Sequence, residues 1–444
     1  MKNILLLLTA LFITCSLFSQ DYKVGFTASG LSTEMDSVEI INLTQDKSIT
    51  VYGQDTLHLL GVVGLAESLK SKAEIKLYPN PAAGQTQLEY NSSQGGTAKL
   101  MISDISGKRL FTSQLEAQPG TNRIRISGFQ RGTYLLSLNH KHTMQTRKLT
   151  VTAGSSGNLK AEISAATNKE VSKKSVKAEN LVEWQYDEGD ILLFKGWSMH
   201  RSRIMVYYIN SDVNLNFEFV QCQDPDGNHY TVTTINGVTW MAENLKTSKY
   251  NNNVPIPNLT DTADWNNTTE GARCYFYNDS AFYAEEFGAL YNYAAANHGD
   301  LCPFGWHVPT QSEFEDLMIF LQNNGYNYDG TSDSDNDTET NNKIAKALSA
   351  TYSFNNGDVE GSPGNYDYLS YRNRSGFSAL AAGTRTTTNN YANTHSRDAT
   401  FWTTTEWVGD PDAGMRIETR DNRVDTRVLF SNKLNGYSIR CIMD

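Results

Sequence analysis

The chain is short of basic residues and has only one long apolar run. Lysine and arginine number 38 against 49 aspartates and glutamates, which gives a net charge of −11. Phosphate backbones and anionic lipids are held by clustered basic side chains, so this balance argues against nucleic acid or anionic membranes as partners. The apolar run, residues 4–18, is shorter than the roughly 20 residues of a membrane-spanning helix, and we therefore predict no transmembrane span.

The apolar run instead fits a secretory signal peptide. Lys2 supplies the positive start, residues 4–18 supply the apolar centre, and Ser19-Gln20 forms a small, polar exit. We predict that residues 1–20 are a signal peptide. The protein is then expected to be secreted or to lie on the outer cell surface.

Cysteine is also scarce, with five in the chain, one of them (Cys15) inside the predicted signal peptide. The remaining four are Cys222, Cys274, Cys302 and Cys441. An even number in an exported protein predicts disulfide bonds, although four cysteines allow three pairings. A nucleophilic cysteine needs a free, accessible thiol, so we set aside a catalytic pairing of Cys302 with His307.

The N-terminal half consists of short alternating apolar patterns that predict strands. Two such segments, residues 21–65 and 181–221, are each too short to form a domain alone. We therefore hypothesise that they pair with each other around whatever lies between them. A segment rich in Lys, Ser and Ala, residues 153–180, is predicted to be a linker because it has almost no aromatic residues to bury.

Between these segments, residues 73–152 carry strand patterns at regular spacing, which predicts an antiparallel β-sandwich. The most informative motifs are Tyr78-Pro-Asn-Pro81, Asp104-Ile-Ser-Gly107, Gly120-Thr-Asn122 and Gly132-Thr-Tyr134. They resemble the type A sorting domain of the type IX secretion system, which implies that secretion machinery as a partner. In that family the domain normally stands at the C-terminus, whereas here residues 153–444 follow it. Both a sorting signal and a plain β module therefore remain open.

Residues 222–444 mix strand and helix patterns. An Asn236-Gly237 step between alternating residues predicts a hairpin with a type I′ turn. Thr310 and Glu313 form a capping box before a run with apolar residues at i, i+3, i+4 and i+7, which predicts a helix ending near Gly325. Two further helices are predicted over residues 287–296 and 342–349.

The same region carries a set of specific motifs. They are Trp240-Met-Ala-Glu-Asn244, Cys302-Pro-Phe-Gly-Trp-His307, Ser375-Gly-Phe-Ser-Ala-Leu380, Ala382-Gly-Thr-Arg385, Phe401-Trp-Thr-Thr-Thr-Glu406 and Ile439-Arg-Cys441. Together they resemble the Fibrobacter succinogenes major paralogous domain, whose members are mostly surface or secreted bacterial proteins. That family resembles C-type-lectin-like folds, so the resemblance implies an α+β domain at residues 222–444 after β-sandwich modules in the N-terminal half. It also implies a Cys302–Cys441 disulfide, leaving Cys222 to pair with Cys274.

Candidate binding residues come from the last third of the chain. Trp402, Glu406 and Trp407 place a carboxylate between two indoles, and with Arg385 they form the predicted ligand-binding set. Aromatic faces stack on the apolar faces of sugar rings while carboxylates accept from hydroxyls. The competing interpretation is that at least one of the indoles belongs to the core.

Two acidic stretches have the oxygen ligands of a hard cation, but each has a simpler explanation. Asp333–Glu339 is interpreted as a solvated acidic loop, and Asp224-Pro-Asp-Gly-Asn228 as a turn entering the hairpin. The Ca²⁺-binding triplets of sugar-binding C-type lectins do not stand in the expected loop. We predict no metal and no cofactor.

These observations predict an exported, non-enzymatic binding protein whose C-terminal domain recognises a glycan or another surface component. Two alternatives remain: a polysaccharide-active enzyme on the same scaffold, for which no motif nominates the two carboxylates, and a structural surface protein without a discrete ligand.

Overall fold

A computed structural model describes residues 21–53, 55–61, 75–92, 96–104, 109–118, 120–140, 143–154, 159–167, 181–332, 342–387, 391 and 394–444. The predicted signal peptide, the Asp333–Glu339 loop and residues 168–180 of the predicted linker lie outside these ranges. Strands make up 45% of the described residues and helices 12%. Within the described ranges, no helix is both long enough and apolar enough to cross a membrane.

The first unit is built from two segments that are distant in sequence. Its strands are β1 Tyr22–Gly30, β2 Ser37–Asn42, β3 Lys47–Tyr52 and β4 Thr56–Gly61, and then β14 Leu181–Tyr186, β15 Ile191–Ser198, β16 Arg201–Tyr208 and β17 Val213–Phe219. One sheet has the order β14-β4-β1-β17, and β15 pairs with both β2 and β16 in a second sheet. The apolar faces of the two sheets, with Val24, Ile40, Leu57, Phe194 and Phe217 among them, form one core.

The pairing hypothesis for residues 21–65 and 181–221 is confirmed by these registers. β1 runs parallel to β17 from Val24↔Val213 to Gly30↔Phe219, and β4 runs parallel to β14. The first segment supplies the central strands β4 and β1 of this sheet and the second supplies the flanking strands β14 and β17, so neither segment completes the sheet alone. The two segments therefore have to come together before either can bury its apolar face.

The second unit is inserted between β4 and β14. Its strands are β5 Lys76–Tyr78, β6 Ala82–Ala83, β7 Gln85–Ser92, β8 Gly96–Asp104, β9 Arg109–Ala117, β10 Gly120–Ser127, β11 Gly132–His140, β12 Thr143–Ala153 and β13 Lys160–Thr167. They form two sheets, β13-β10-β7-β5 and β6-β12-β11-β8-β9, around a separate core that includes Leu88, Leu100, Ile124, Leu136 and Leu149. The unit therefore has its own interior.

Strand β13 corrects the prediction that residues 153–180 form a linker. Residues 160–167 pair antiparallel with β10, with Ile126 opposite Ala161 and Ser127 opposite Lys160. Their composition gave no sign of a strand because an edge strand needs little apolar surface of its own. Backbone hydrogen bonds to an existing sheet are sufficient to order it.

The C-terminal domain continues the sheet of the first unit. Its elements are β18 Val232–Ile235, β19 Val238–Met241, α1 Thr262–Asn267, β20 Arg273–Cys274, α2 Ser280–Phe287, β21 Leu290–Tyr291, α3 Tyr293–Ala296, β22 Trp306–His307, α4 Gln311–Asn323, α5 Ala345–Leu348, β23 Asp398–Glu406, β24 Ala413–Arg420, β25 Thr426–Asn432 and β26 Ile442–Met443. Strand β18 pairs parallel with β16 at Arg203↔Val232, so one eight-stranded sheet, β22-β26-β19-β18-β16-β15-β2-β3, spans both units. A separate sheet has the order β23-β24-β25.

Two local predictions in this domain are confirmed. Asn236 and Gly237 both have positive φ, at 52° and 78°, in the turn that joins β18 to β19. Helix α4 begins with the predicted capping box, in which the side chains of Thr310 and Glu313 are both used, and it buries its apolar stripe in a core with Trp240. Both features depend on residues close together in sequence.

The other two helix predictions were too long. Residues 287–296 are divided among the end of α2, the short strand β21 and the single turn of α3, because Gly288 leaves the helical region with φ 73° and ψ −165°. Residues 342–349 contain only the four-residue α5.

The predicted α+β, C-type-lectin-like class of residues 222–444 is wrong. The chain is predominantly β, and α4 is the only helix longer than eight residues in the described part. The resemblance implied that class; apart from α4, the helices of the domain are short, and α3 and α5 have only four residues each. Tertiary pairing with the first unit's sheet then makes β structure the frame of the domain.

Candidate functional site

The predicted binding residue Trp402 lies in the interior of the C-terminal domain. Its side chain is 0% exposed, its indole Nε1 donates to the carbonyl of Tyr291 at 2.9 Å, and its ring lies 4.5 Å from that of Tyr437. Strand β23 carries it there because its pairing turns Trp402 away from the face that packs on α4. The competing interpretation, that one of the two indoles belongs to the core, applies to this residue.

Arg385 is also buried, with 0% exposure. Its guanidinium donates to the carbonyls of Leu259 and Asp261 at 2.6 and 3.1 Å and lies 4.3 Å from the ring centroid of Trp265. These contacts fix the chain where it enters α1. Arg385 therefore acts as an internal clamp, and neither it nor Trp402 reaches the surface.

Glu406 and Trp407 do lie at the surface, at the end of β23. Trp407 stacks on Phe430 of β25 with 3.9 Å between centroids and 8° between planes, and Phe430 remains 54% exposed. Glu406 accepts from Lys433 at 2.9 Å. Half of the predicted set thus forms a small exposed patch, separate from Trp402 and Arg385.

The four cysteines follow only one of the two pairings that the resemblance implied. Cys302 and Cys441 form a disulfide with Cα atoms 6.0 Å apart. Cys222 and Cys274 are separate buried thiols, in different core clusters, so their predicted bond is corrected. Burial raises the pKa of both thiols, which makes them poor nucleophiles.

The Asp224 turn is occupied by its own hydrogen bonds. Oδ1 of Asp224 accepts from the backbone N–H groups of Asp226 and Asn228, both at 2.9 Å, and Oδ2 accepts from the hydroxyl of Tyr230 at 2.5 Å. The carboxylate thus organises the turn, as the sequence interpretation held. Among the described residues, no cluster of three or more His, Cys, Asp or Glu side chains could hold a metal ion.

A different surface stands out near α4 and α5, formed by two loops at residues 325–332 and 357–374. It carries five tyrosines, here called the tyrosine surface: Tyr326, Tyr328, Tyr366, Tyr368 and Tyr371. Tyr366 and Tyr368 are 59% and 40% exposed. Tyrosine combines an apolar ring with a hydrogen-bonding tip and has few rotatable bonds, so it suits a binding surface.

Tyr368 is held in an unusual conformation. Its φ and ψ are 44° and 48°, the left-handed region, which costs a residue with a bulky side chain on the order of 1–2 kcal/mol. Its hydroxyl donates to Glu360 Oε1 at 2.6 Å, and its ring meets that of Tyr328 edge-on at 4.9 Å. Strain of this kind persists only where surrounding contacts enforce it, and it occurs often at functional sites.

The loop behind the tyrosine surface is fixed by a buried lysine. Lys346 is 0% exposed, and its Nζ donates to the carbonyls of Asn365 and Asp367 and to Asp367 Oδ1, at 2.7, 2.7 and 2.6 Å. Burial lowers the pKa of Lys346, while the hydrogen bond to Asp367 opposes that change. Three acceptors around one ammonium group give the loop a rigid base.

A close spacing of tyrosine and arginine was the available sequence signal for this surface. Tyr366, Tyr368 and Tyr371 are followed directly by Arg372 and Arg374, and a second Tyr pair stands two residues apart in the other loop. No carboxylate, cysteine or tryptophan motif marks this surface, and the sequence predictions do not include it. The two loops meet only in the folded domain.

The C-terminal domain and the inserted second unit each match a known protein family. Residues 233–443 match the family model described as the Fibrobacter succinogenes major domain. The C-terminal region is such a domain. The resemblance predicted from its motifs is therefore confirmed, and Asn244 and Arg440, from the first and last motifs, are joined in its core by a 2.8 Å hydrogen bond.

Residues 76–152 match the secretion system C-terminal sorting domain, which confirms the second resemblance. The sorting domain corresponds to strands β5–β12, and β13 lies beyond the match. A protein that carries it is secreted or displayed on the cell surface, and the type IX secretion machinery is the partner that the domain indicates. No curated protein and no solved structure matches the chain.

Proposed function

We propose that this exported protein is a non-enzymatic recognition protein that binds carbohydrate through the tyrosine surface of its Fibrobacter succinogenes major domain. The observation that carries the proposal is the half-exposed pair Tyr366 and Tyr368, with Tyr368 strained into the left-handed region. Two exposed rings on a rigid loop offer apolar faces to sugar rings at a small entropic cost.

Polar groups around the rings support a carbohydrate rather than a purely apolar ligand. Glu360 accepts from the Tyr368 hydroxyl and retains further lone pairs, and Arg372 lies 4.8 Å from the ring of Tyr366. Sugars need both a stacking face and well-placed donors and acceptors. The tyrosine surface supplies both within one loop pair.

The test is a glycan array probed with the full chain, followed by affinity measurement on any glycan that binds. Replacing Tyr366 and Tyr368 together by alanine is expected to weaken binding at least about tenfold, because the loss of each ring removes a stacking contact worth about 1 kcal/mol. Tyr52→Ala is the matched control, because Tyr52 is 54% exposed but lies on β3 of the first unit. Equal binding by both variants, or no glycan bound by the parent chain, would contradict the proposal.

A polysaccharide-active enzyme is the second candidate, and one observation favours it. Asp398 and Glu418 lie on neighbouring strands, and burial raises the pKa of Asp398 to about 6. However, Arg420 Nε lies 3.4 Å from Asp398 and 2.8 Å from Glu418, and the two carboxylates are only 7% and 6% exposed. We assign them to a structural ion network. Release of reducing ends that is lost in Asp398→Asn would instead establish the enzyme.

A further inference from the structure

The tyrosine surface contains an arginine, Arg374, that has no acidic partner among the described residues. The guanidinium carbon of Arg374 lies 4.7 Å from the ring centroid of Tyr371 and 5.7 Å from that of Tyr326. Throughout the described ranges, its side chain makes no hydrogen bond and no ion pair. The two rings therefore hold a cation in place and leave its N–H edges available.

Two of the described carboxylates close to this surface already bind a lysine. Asp329 binds Lys343 at 2.5 Å, and Asp367 binds Lys346 at 2.6 Å. Other arginines of the domain behave differently from Arg374: Arg427, for example, binds Asp425 at 2.7 Å. Among the described residues Arg374 is thus a positive charge without an ionic partner, and an anionic ligand would supply one.

We propose that Arg374 binds an oxyanion carried by the glycan, either the carboxylate of a uronic acid or a sulfate ester. The inference rests on the proposed carbohydrate function and specifies its ligand class. A guanidinium is planar and donates two parallel hydrogen bonds to a carboxylate or sulfate. Because stacking on Tyr371 and Tyr326 already restricts the Arg374 side chain, binding loses less rotamer entropy.

Matched polysaccharide pairs test the proposal on the full chain. Polygalacturonate is compared with its methyl ester, and dextran sulfate with dextran, by isothermal calorimetry at fixed ionic strength. We expect at least tenfold tighter binding of the charged member of one pair, and that pair identifies carboxylate or sulfate as the source. The acidic chain repels polyanions in general, so such a preference cannot arise from net charge.

Arg374→Gln is expected to abolish the preference for the charged member while it leaves binding of the neutral member within about twofold. Arg427→Gln is the matched control, since that arginine is already paired and lies on β25. Arg374→Lys keeps the positive charge but cannot donate two parallel hydrogen bonds, so it should retain part of the preference. Circular dichroism and the midpoint of thermal unfolding establish that each variant is folded.

The outcomes separate this inference from the proposed function. Equal affinity for charged and neutral members, or a preference that survives in Arg374→Gln, overturns the role of Arg374 and leaves carbohydrate binding intact. If no polysaccharide binds, the proposed function fails. Titration with inorganic sulfate then tests whether Arg374 binds an anion at all. Sulfate stabilises folded proteins in general, so it should raise the unfolding midpoint of the parent chain more than that of Arg374→Gln, and equal responses would overturn the inference.

Discussion

Replacing Arg440 by methionine tests how the C-terminal domain is held together. Arg440 is 0% exposed, and its guanidinium donates to Asn244 Oδ1 at 2.8 Å and to the carbonyls of Met241, Phe377 and Ser378 at 3.0, 2.7 and 2.6 Å. Those acceptors come from the hairpin β18–β19 and from the loop before β23. One side chain therefore joins three segments that are far apart in sequence.

Two opposing terms set the size of the effect. Methionine would leave four buried acceptors without their donor, at about 2 kcal/mol each, or about 8 kcal/mol in total. Burial lowers the pKa of Arg440 to about 9, so the buried charge itself costs on the order of 5 kcal/mol, which methionine recovers. The free energy of unfolding of the C-terminal domain should thus fall by about 3 kcal/mol.

Urea unfolding of the full chain, followed by tryptophan fluorescence, measures this change. The transition of the C-terminal domain is the relevant one, because several units need not unfold together. Arg427→Met is the control: its side chain is 40% exposed and ion-paired at the surface, so it should cost less than about 1 kcal/mol. If the two variants lose equal stability, the clamp role of Arg440 is refuted.

Three further results are expected. Alkylation under non-reducing conditions should label Cys222 and Cys274 only after unfolding, and mass spectrometry showing a bond between them would restore the pairing that the structure corrects. Burial raises the pKa of Glu286 to about 7, so the folded state holds that proton more tightly than the unfolded state, and stability should fall as pH rises from about 4.5 to 7. In urea unfolding, Glu286→Gln should then stabilise the protein by up to about 3 kcal/mol at pH 8 and by almost nothing at pH 4. The control Glu285→Gln, at the exposed neighbouring residue, should show no such difference between the two pH values. Replacing residues 62–180 by a Gly/Ser crossover of about ten residues should leave the remaining units folded by circular dichroism, because the sorting domain has its own core, and aggregation of that variant would show that the insert supports them.

The fold was predictable where the determining residues are neighbours in sequence. The type I′ turn at Asn236-Gly237 and the capping box of Thr310 and Glu313 each act over two to four residues, and both formed as predicted. The lectin-like α+β assignment, which the family resemblance implied, is wrong because strands rather than helices frame the domain. That choice depends on which backbone groups find partners elsewhere.

The candidate site was less predictable for a related reason. Trp402 lies on β23 and Trp407 directly follows that strand, yet the first is fully buried and the second stacks at the surface on Phe430. Regular alternation places residues five apart on opposite faces without saying which of them is inward, and the register shift between Trp402 and Glu406 disturbs the alternation itself. Spacing alone could not assign them to the correct sides.

The sequence by itself determined the families of the two larger units, export, and the local turns and caps, because each of these is encoded in a contiguous motif. Tertiary structure alone decided which strands share a sheet across the inserted sorting domain, and that Cys222 and Cys274 remain separate thiols. It also brought the loop of Tyr326 against the loop of Tyr371 around Arg374. Such contacts depend on how the core packs. The order of residues along the chain does not state which distant residues will lie close together in space.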